Sequence, residues 1–121
     1  MFKRNMESYE INIDELKEKQ NNGAEIVDVR SSQEYAEGHI QGAINIPYYQ
    51  INKNVYNILK DKQQEIVLYC GAGVRSKQAY KKLLKLQYKN IYSLYKGLEN
   101  WLWIWEKCLK GIEKNNFFLY N

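Results

Sequence analysis

Short apolar runs alternate with capped amphipathic segments along this chain. That alternation confines the fold to the α/β class, with a parallel sheet covered by helices on both faces. Residues 9–11 read as a short edge strand. Asn12 and Glu15 have capping-box spacing, Leu16 begins the apolar face of the helix they open, and Asn21-Asn22-Gly23 ends it. Ala24 to Val29 reads as a buried strand. Ser31 and Glu34 repeat the capping spacing and start a short helix that Gly38 stops. Ala43 to Ile46 is a strand ended by Pro47, the only proline. Residues 48–60 are expected to be helical with Ile51, Val55, Ile58 and Leu59 inward. Glu65 to Tyr69 is the next buried strand. Ser76 to Gln87 follows as a helix with Ala79, Leu83 and Leu86 on its inner stripe and Lys77, Lys81 and Lys85 on its solvent side. Residues 90–94 form a last strand, and Gly97 precedes a final helix.

At 121 residues the chain is expected to be one domain spanning 1–121, large enough to bury a core without metals or disulfides. Its 45% hydrophobic content excludes a disordered chain. No apolar stretch approaches the roughly 18 residues of a membrane helix. Met1-Phe2-Lys3-Arg4-Asn5 lacks the apolar centre of a secretory signal, so a cytoplasmic protein with no membrane partner is expected. The net charge of +4 is modest, and the lysines are not interleaved with aromatics in a nucleic-acid motif, so no nucleic-acid partner is expected. Two cysteines, Cys70 and Cys108, and one histidine, His39, argue against a disulfide framework or a metal centre, and no cofactor is implied.

The chemistry concentrates at Cys70-Gly71-Ala72-Gly73-Val74-Arg75-Ser76. The strand before it delivers a sulfur to its carboxyl end, where ligands of open α/β sheets bind. Gly71 and Gly73 let the backbone turn tightly, so that N–H groups point inward, and the following helix presents its positive end. Such a cradle favours a thiolate, the nucleophilic form of cysteine. The bland alternative is a small buried hydrophobe. Arg75 either contacts an anionic substrate or braces the loop through an ion pair. His39 follows Gly38 at a helix end, where histidines satisfy backbone carbonyls, and this reading is preferred to a base for Cys70. Cys108 lacks a basic or glycine-rich context and reads as structural.

Four linked segments carry a family resemblance: Asp28-Val29-Arg30; Glu34 through Pro47, with Gly38-His39-Ile40 and Gly42-Ala43; Cys70 through Ser76; and Gly97-Leu98-Glu99-Asn100-Trp101. In this order they resemble the signatures of single-domain rhodanese sulfurtransferases over about residues 8–108. The resemblance implies a rhodanese-like three-layer fold with a five-stranded parallel sheet. It also implies that Cys70 is the nucleophile, that Gly71, Ala72, Gly73, Val74, Arg75 and Ser76 form the substrate loop, that Asp28 supports that loop, and that Arg30 pairs with an acid such as Glu34.

The activity so implied is ping-pong transfer of sulfane sulfur through a Cys70 persulfide. The sulfur passes from a small anionic donor such as thiosulfate, or from a persulfide, to a thiol or protein acceptor. Phosphatases of the same fold use a loop one residue longer than the four residues between Cys70 and Arg75. A phosphatase or arsenate reductase is therefore disfavoured. A non-enzymatic persulfide carrier or interaction module is the other alternative. Gly71 and Ala72 bring no charge to a sulfonate, which counts against thiosulfate as the physiological donor. Near the C-terminus, Leu98, Trp101, Leu102, Trp105 and Leu109 share one helical face, leaving Trp103 opposite. The apolar tail Phe117-Phe118-Leu119-Tyr120, or a second copy of the chain in a homo-oligomer, is expected to cover Trp103.

Overall fold

The computed structural model describes residues 6–99 and 119–120. Strands β1 (Glu10–Ile11), β2 (Glu25–Asp28), β4 (Ile44–Asn45), β5 (Glu65–Tyr69) and β6 (Asn90–Leu94) form one all-parallel sheet in the order β1-β6-β5-β2-β4. β5 lies at its centre, paired with β2 (Ile26 opposite Val67) and with β6 (Val67 opposite Tyr92). A central parallel strand is buried on both faces, so β5 reads Ile-Val-Leu-Tyr without alternation of polarity.

Alternation reappears in what each side chain touches. Ile66, Leu68 and Cys70 pack with Ala79 and Leu83 of helix α3 (Val74–Lys85) and with Ile51, Val55 and Leu59. Val67 and Tyr69 point the other way, into a second cluster with Leu16 of α1 (Ile13–Asn21), Ile40, Leu94 and Leu98. Two apolar layers thus clamp the sheet, and Cys70 projects into the α3 side.

Both capping boxes form. Asn12 Oδ1 accepts from the Glu15 N–H at 2.8 Å and opens α1. Ser31 Oγ accepts from the Glu34 N–H at 3.2 Å and opens α2 (Ser32–Glu37). Three expectations change. Residues 48–60 are not one helix but two 3₁₀ turns, Tyr48–Gln50 and Lys53–Asn57. The Asn52 side chain accepts from the Asn54 N–H at 2.8 Å, starting a separate turn where a helix would continue. Ile51, Val55 and Leu59 are buried as expected, but Ile58 is 58% exposed. Helix α3 begins at Val74 rather than Ser76, because Gly73 adopts a left-handed conformation (φ +98°) and serves as its N-cap without a side-chain bond. It ends at Lys85, with Leu86 only partly buried. Finally, β3 (His39–Ile40) pairs antiparallel with β7 (Leu119–Tyr120), a second small sheet not anticipated from the sequence. The tail therefore reaches β3. Trp101, Trp103, Trp105 and Cys108 lie outside the described residues, as does the expected cover of Trp103. No helix among the described residues is long and apolar enough to cross a membrane.

Candidate active site

Cys70 follows the last residue of β5 and is 1% exposed. Its Sγ accepts the Gly73 N–H at 3.1 Å and the Ser76 N–H at 3.3 Å. Two main-chain donors at the start of α3 therefore hold the sulfur. The thiol lies 3.6 Å from Ser76 Oγ, to which it donates. Ser76 in turn donates to the Gly73 carbonyl at 3.2 Å, and Ser93 Oγ of β6 donates to Ser76 Oγ at 2.8 Å. Both serines are fully buried. Ser93 was not singled out from the sequence. The available signal was a small polar residue between Tyr92 and Leu94 in a mostly apolar strand, two positions before the loop that backs the cysteine.

The loop is braced from behind. The Leu98 N–H donates to the Cys70 carbonyl at 2.8 Å and the Glu99 N–H to the Gly71 carbonyl at 2.9 Å. This close approach requires Gly97, whose φ is +70°.

The remaining candidates assemble as two ion pairs. Arg75 grips Glu34 with both terminal nitrogens, Nη1 to Oε1 at 2.7 Å and Nη2 to Oε2 at 3.2 Å. Glu34 also accepts from the Ser31 N–H at 3.0 Å, so one carboxylate caps α2 and anchors the cysteine loop. Arg30 does not pair with Glu34. It folds back on Asp28, with Nε 3.0 Å from Oδ1 and Nη2 2.7 Å from Oδ2, and Nη2 also donates to the Gly38 carbonyl at 2.7 Å. Asp28, fully buried, thus holds Arg30 with both carboxylate oxygens and also accepts the Arg30 N–H at 2.9 Å. Burial works against the Arg30 charge, and the Asp28 contacts more than offset it, so its pKa rises. Burial, then the Asp28 charge, drives the Tyr69 phenol far up, and this neutral hydroxyl accepts the Ile40 N–H at 3.0 Å.

His39 stacks on Tyr35 with ring centroids 3.7 Å apart, and its Nδ1 lies 2.8 Å from the Tyr35 carbonyl. It serves the end of α2. Among the described residues no group of three or more His, Cys, Asp or Glu is arranged to hold a metal.

The Arg75 bonds pull the Glu34 carboxyl from 4.5 down to about 2. A carboxyl depressed in the folded state contributes stability above its unfolded pKa and loses that contribution as pH falls through about 2. The two side chains are 32% and 38% exposed, so solvent screening limits the pair. Glu34→Gln, which retains the capping geometry, is expected to cost about 0.5–1 kcal/mol at pH 7. Its deficit against the wild type should shrink as pH drops from 4.5 toward about 2, as measured by urea unfolding at each pH.

A cavity of about 200 Å³ opens in front of the sulfur, lined by the cysteine loop together with Arg30, Glu34, Leu98 and Glu99. A cysteine held by backbone donors at the base of a small, charged cavity is equipped for nucleophilic attack on a compact substrate.

Comparison with known proteins bears on this site. The sequence matches the family model described as Rhodanese-like domain over residues 12–102. It is 35% identical over 65 residues to the thiosulfate sulfurtransferase PspE of Escherichia coli, covering 54% of this chain and 62% of that protein. It is 29% identical over 94 residues to the putative sulfur carrier protein YrkF of Bacillus subtilis, covering 76% of this chain and 50% of that protein. The chain thus spans less than two thirds of the length of either relative. A solved structure described as a rhodanese with anions from E. coli superposes with a TM-score of 0.59 at 32% identity, covering 64% of this chain and 91% of that one.

Proposed function

The chain belongs to the rhodanese-like domain family, and from that premise we propose that it is a sulfurtransferase whose Cys70 carries the transferred sulfur as a persulfide. The observation that carries this reading is the pair of N–H donors, from Gly73 and Ser76, directed at Sγ. They stabilise negative charge on sulfur without a general base, and they do so both before attack and when Sγ departs.

In the first half-reaction the Cys70 thiolate attacks the outer sulfur of a donor. An Sγ–S bond forms, the donor's S–S bond breaks, and its electron pair leaves with the sulfite, sulfinate or thiolate fragment. In the second, an acceptor thiolate or cyanide attacks the outer sulfur and Sγ leaves as a thiolate. Each displacement is easier than direct transfer within a ternary complex. The cavity of about 200 Å³ admits a compact donor. Gly71 and Ala72 place no charge in it, which favours a persulfide over thiosulfate as the natural donor.

Similarity to a putative sulfur carrier supports a second reading, in which the same persulfide is handed to a partner protein with little free turnover. One experiment tests the common step. The protein is incubated with donor, digested without reductant and analysed by mass spectrometry. One added sulfur on the Cys70 peptide, removed by cyanide with release of thiocyanate, is the expected result. Sulfur appearing only on Cys108, or on neither cysteine, would count against the proposal. The rate of thiocyanate release over many cycles separates enzyme from carrier.

A further inference from the structure

We propose that the mouth of the Cys70 cavity selects donors by charge, with Glu99 opposing dianionic sulfur oxyanions and admitting donors that bring an ammonium group. This inference rests on the sulfur-transfer reading above.

Two guanidiniums border the mouth, and each is already claimed by a carboxylate. Arg30 is held by Asp28 at 2.7 Å and Arg75 by Glu34 at 2.7 Å. Glu99 is a third carboxylate, exposed on the cavity rim and without an ion-pair partner among the described residues. A Cβ placed on Gly71 would lie 3.5 Å from Glu99 Oε2 and 3.4 Å from Arg75 Nη2, so acid and base converge over the same glycine. The local balance is three carboxylates, Asp28, Glu34 and Glu99, against two guanidiniums, before the Cys70 thiolate is added. A sulfonate entering here meets no uncommitted cation among the residues that line the cavity, while an ammonium group meets Glu99. Each unit of donor charge near Glu99 is expected to change the rate about threefold in a water-like medium.

A ladder of three donors tests this: thiosulfate, a dianion; methanethiosulfonate, a monoanion; and 2-aminoethanethiosulfonate, a zwitterion. In each the Cys70 thiolate takes the outer sulfur, one S–S bond breaks as one Sγ–S bond forms, and the electron pair departs on sulfite or sulfinate. No further oxidant or reductant enters. The readout is the ratio of kcat/KM in Glu99→Gln to that in the wild type, donor by donor, which cancels intrinsic donor reactivity.

The expected ratios are about tenfold for thiosulfate, about threefold for methanethiosulfonate, and unity or below for 2-aminoethanethiosulfonate. Glu99→Lys should extend the same trend, and salt should flatten it as the Debye length contracts. Equal ratios for the three donors, or the reverse order, would overturn the assignment of Glu99 while leaving sulfur transfer intact. Absence of transfer from all three donors by the wild type would overturn the sulfur-transfer reading and this inference with it.

Discussion

Cys70→Ser is expected to lose at least about 10⁴-fold in sulfur transfer while the protein still folds. A serine hydroxyl needs a base to become a nucleophile. The only histidine is committed to the end of α2, stacked on Tyr35 with Nδ1 at its carbonyl. The hydroxyl also cannot form a stable sulfur adduct that a second nucleophile would cleave. The fold should tolerate the change, because the new oxygen inherits the Gly73 and Ser76 donors at a site only 1% exposed and finds Ser76 Oγ as an acceptor. Stability is expected to shift by no more than about 1 kcal/mol. Thiocyanate release and urea unfolding measured on the same preparation check both halves. Cys108→Ser should retain transfer. Substantial turnover in Cys70→Ser would remove the nucleophile from this account.

The second large effect is expected at a glycine that brings no side chain to the chemistry. In Gly97→Ala the new Cβ would stand 2.5 Å from the Gly71 carbonyl oxygen and 2.7 Å from that of Cys70. Both obstacles are backbone, so no side chain can swing aside. The φ of +70° adds the left-handed penalty of an L-residue. The combined cost is expected to be roughly 2–4 kcal/mol. The loop can relieve the clash only by moving away from Leu98 and Glu99, which carries Cys70 with it. Displacement by an ångström at the nucleophile is expected to lower kcat about 10²-fold. Gly23→Ala is the matched control. Its φ is +98°, but a Cβ there meets nothing within 4 Å, so it should lose stability from backbone strain and leave transfer unchanged. Equal activity losses in the two variants would show that strain, and not contact with the cysteine loop, is responsible.

The parts of this fold that were legible in the sequence are those fixed by local chemistry. The Asn12/Glu15 and Ser31/Glu34 spacings announced α1 and α2 because a capping box is complete within four residues. Strand β5 was legible because a strand buried on both faces is apolar throughout. The errors arose where distant partners decide. The family resemblance implied that Arg30 pairs with an acid such as Glu34, yet Arg30 binds Asp28 and Glu34 is taken by Arg75, 41 residues away. The β3–β7 pair joins two-residue strands too short to show any period. Helix α3 starts two residues before Ser76 because Gly73 caps it by backbone conformation alone, which leaves no side-chain signal to read. Ser93 escaped notice because a buried serine declares its role only through the Ser76 hydroxyl it meets.

The groups that hold the sulfur are main-chain amides, and the groups that brace the loop from behind are main-chain amides as well. Nucleophile stabilisation is thus written into the backbone, and the exposed Ala72 and Val74 side chains take no part in it. The two jobs are separable. Positions 72 and 74 can be altered to suit a different donor without disturbing the group that does the chemistry. The glycines whose conformations shape and brace the loop have no such latitude. If the proposed sulfur transfer holds, a scaffold divided in this way lets single substitutions on the loop surface redirect donor choice while the backbone that holds the sulfur stays as it is.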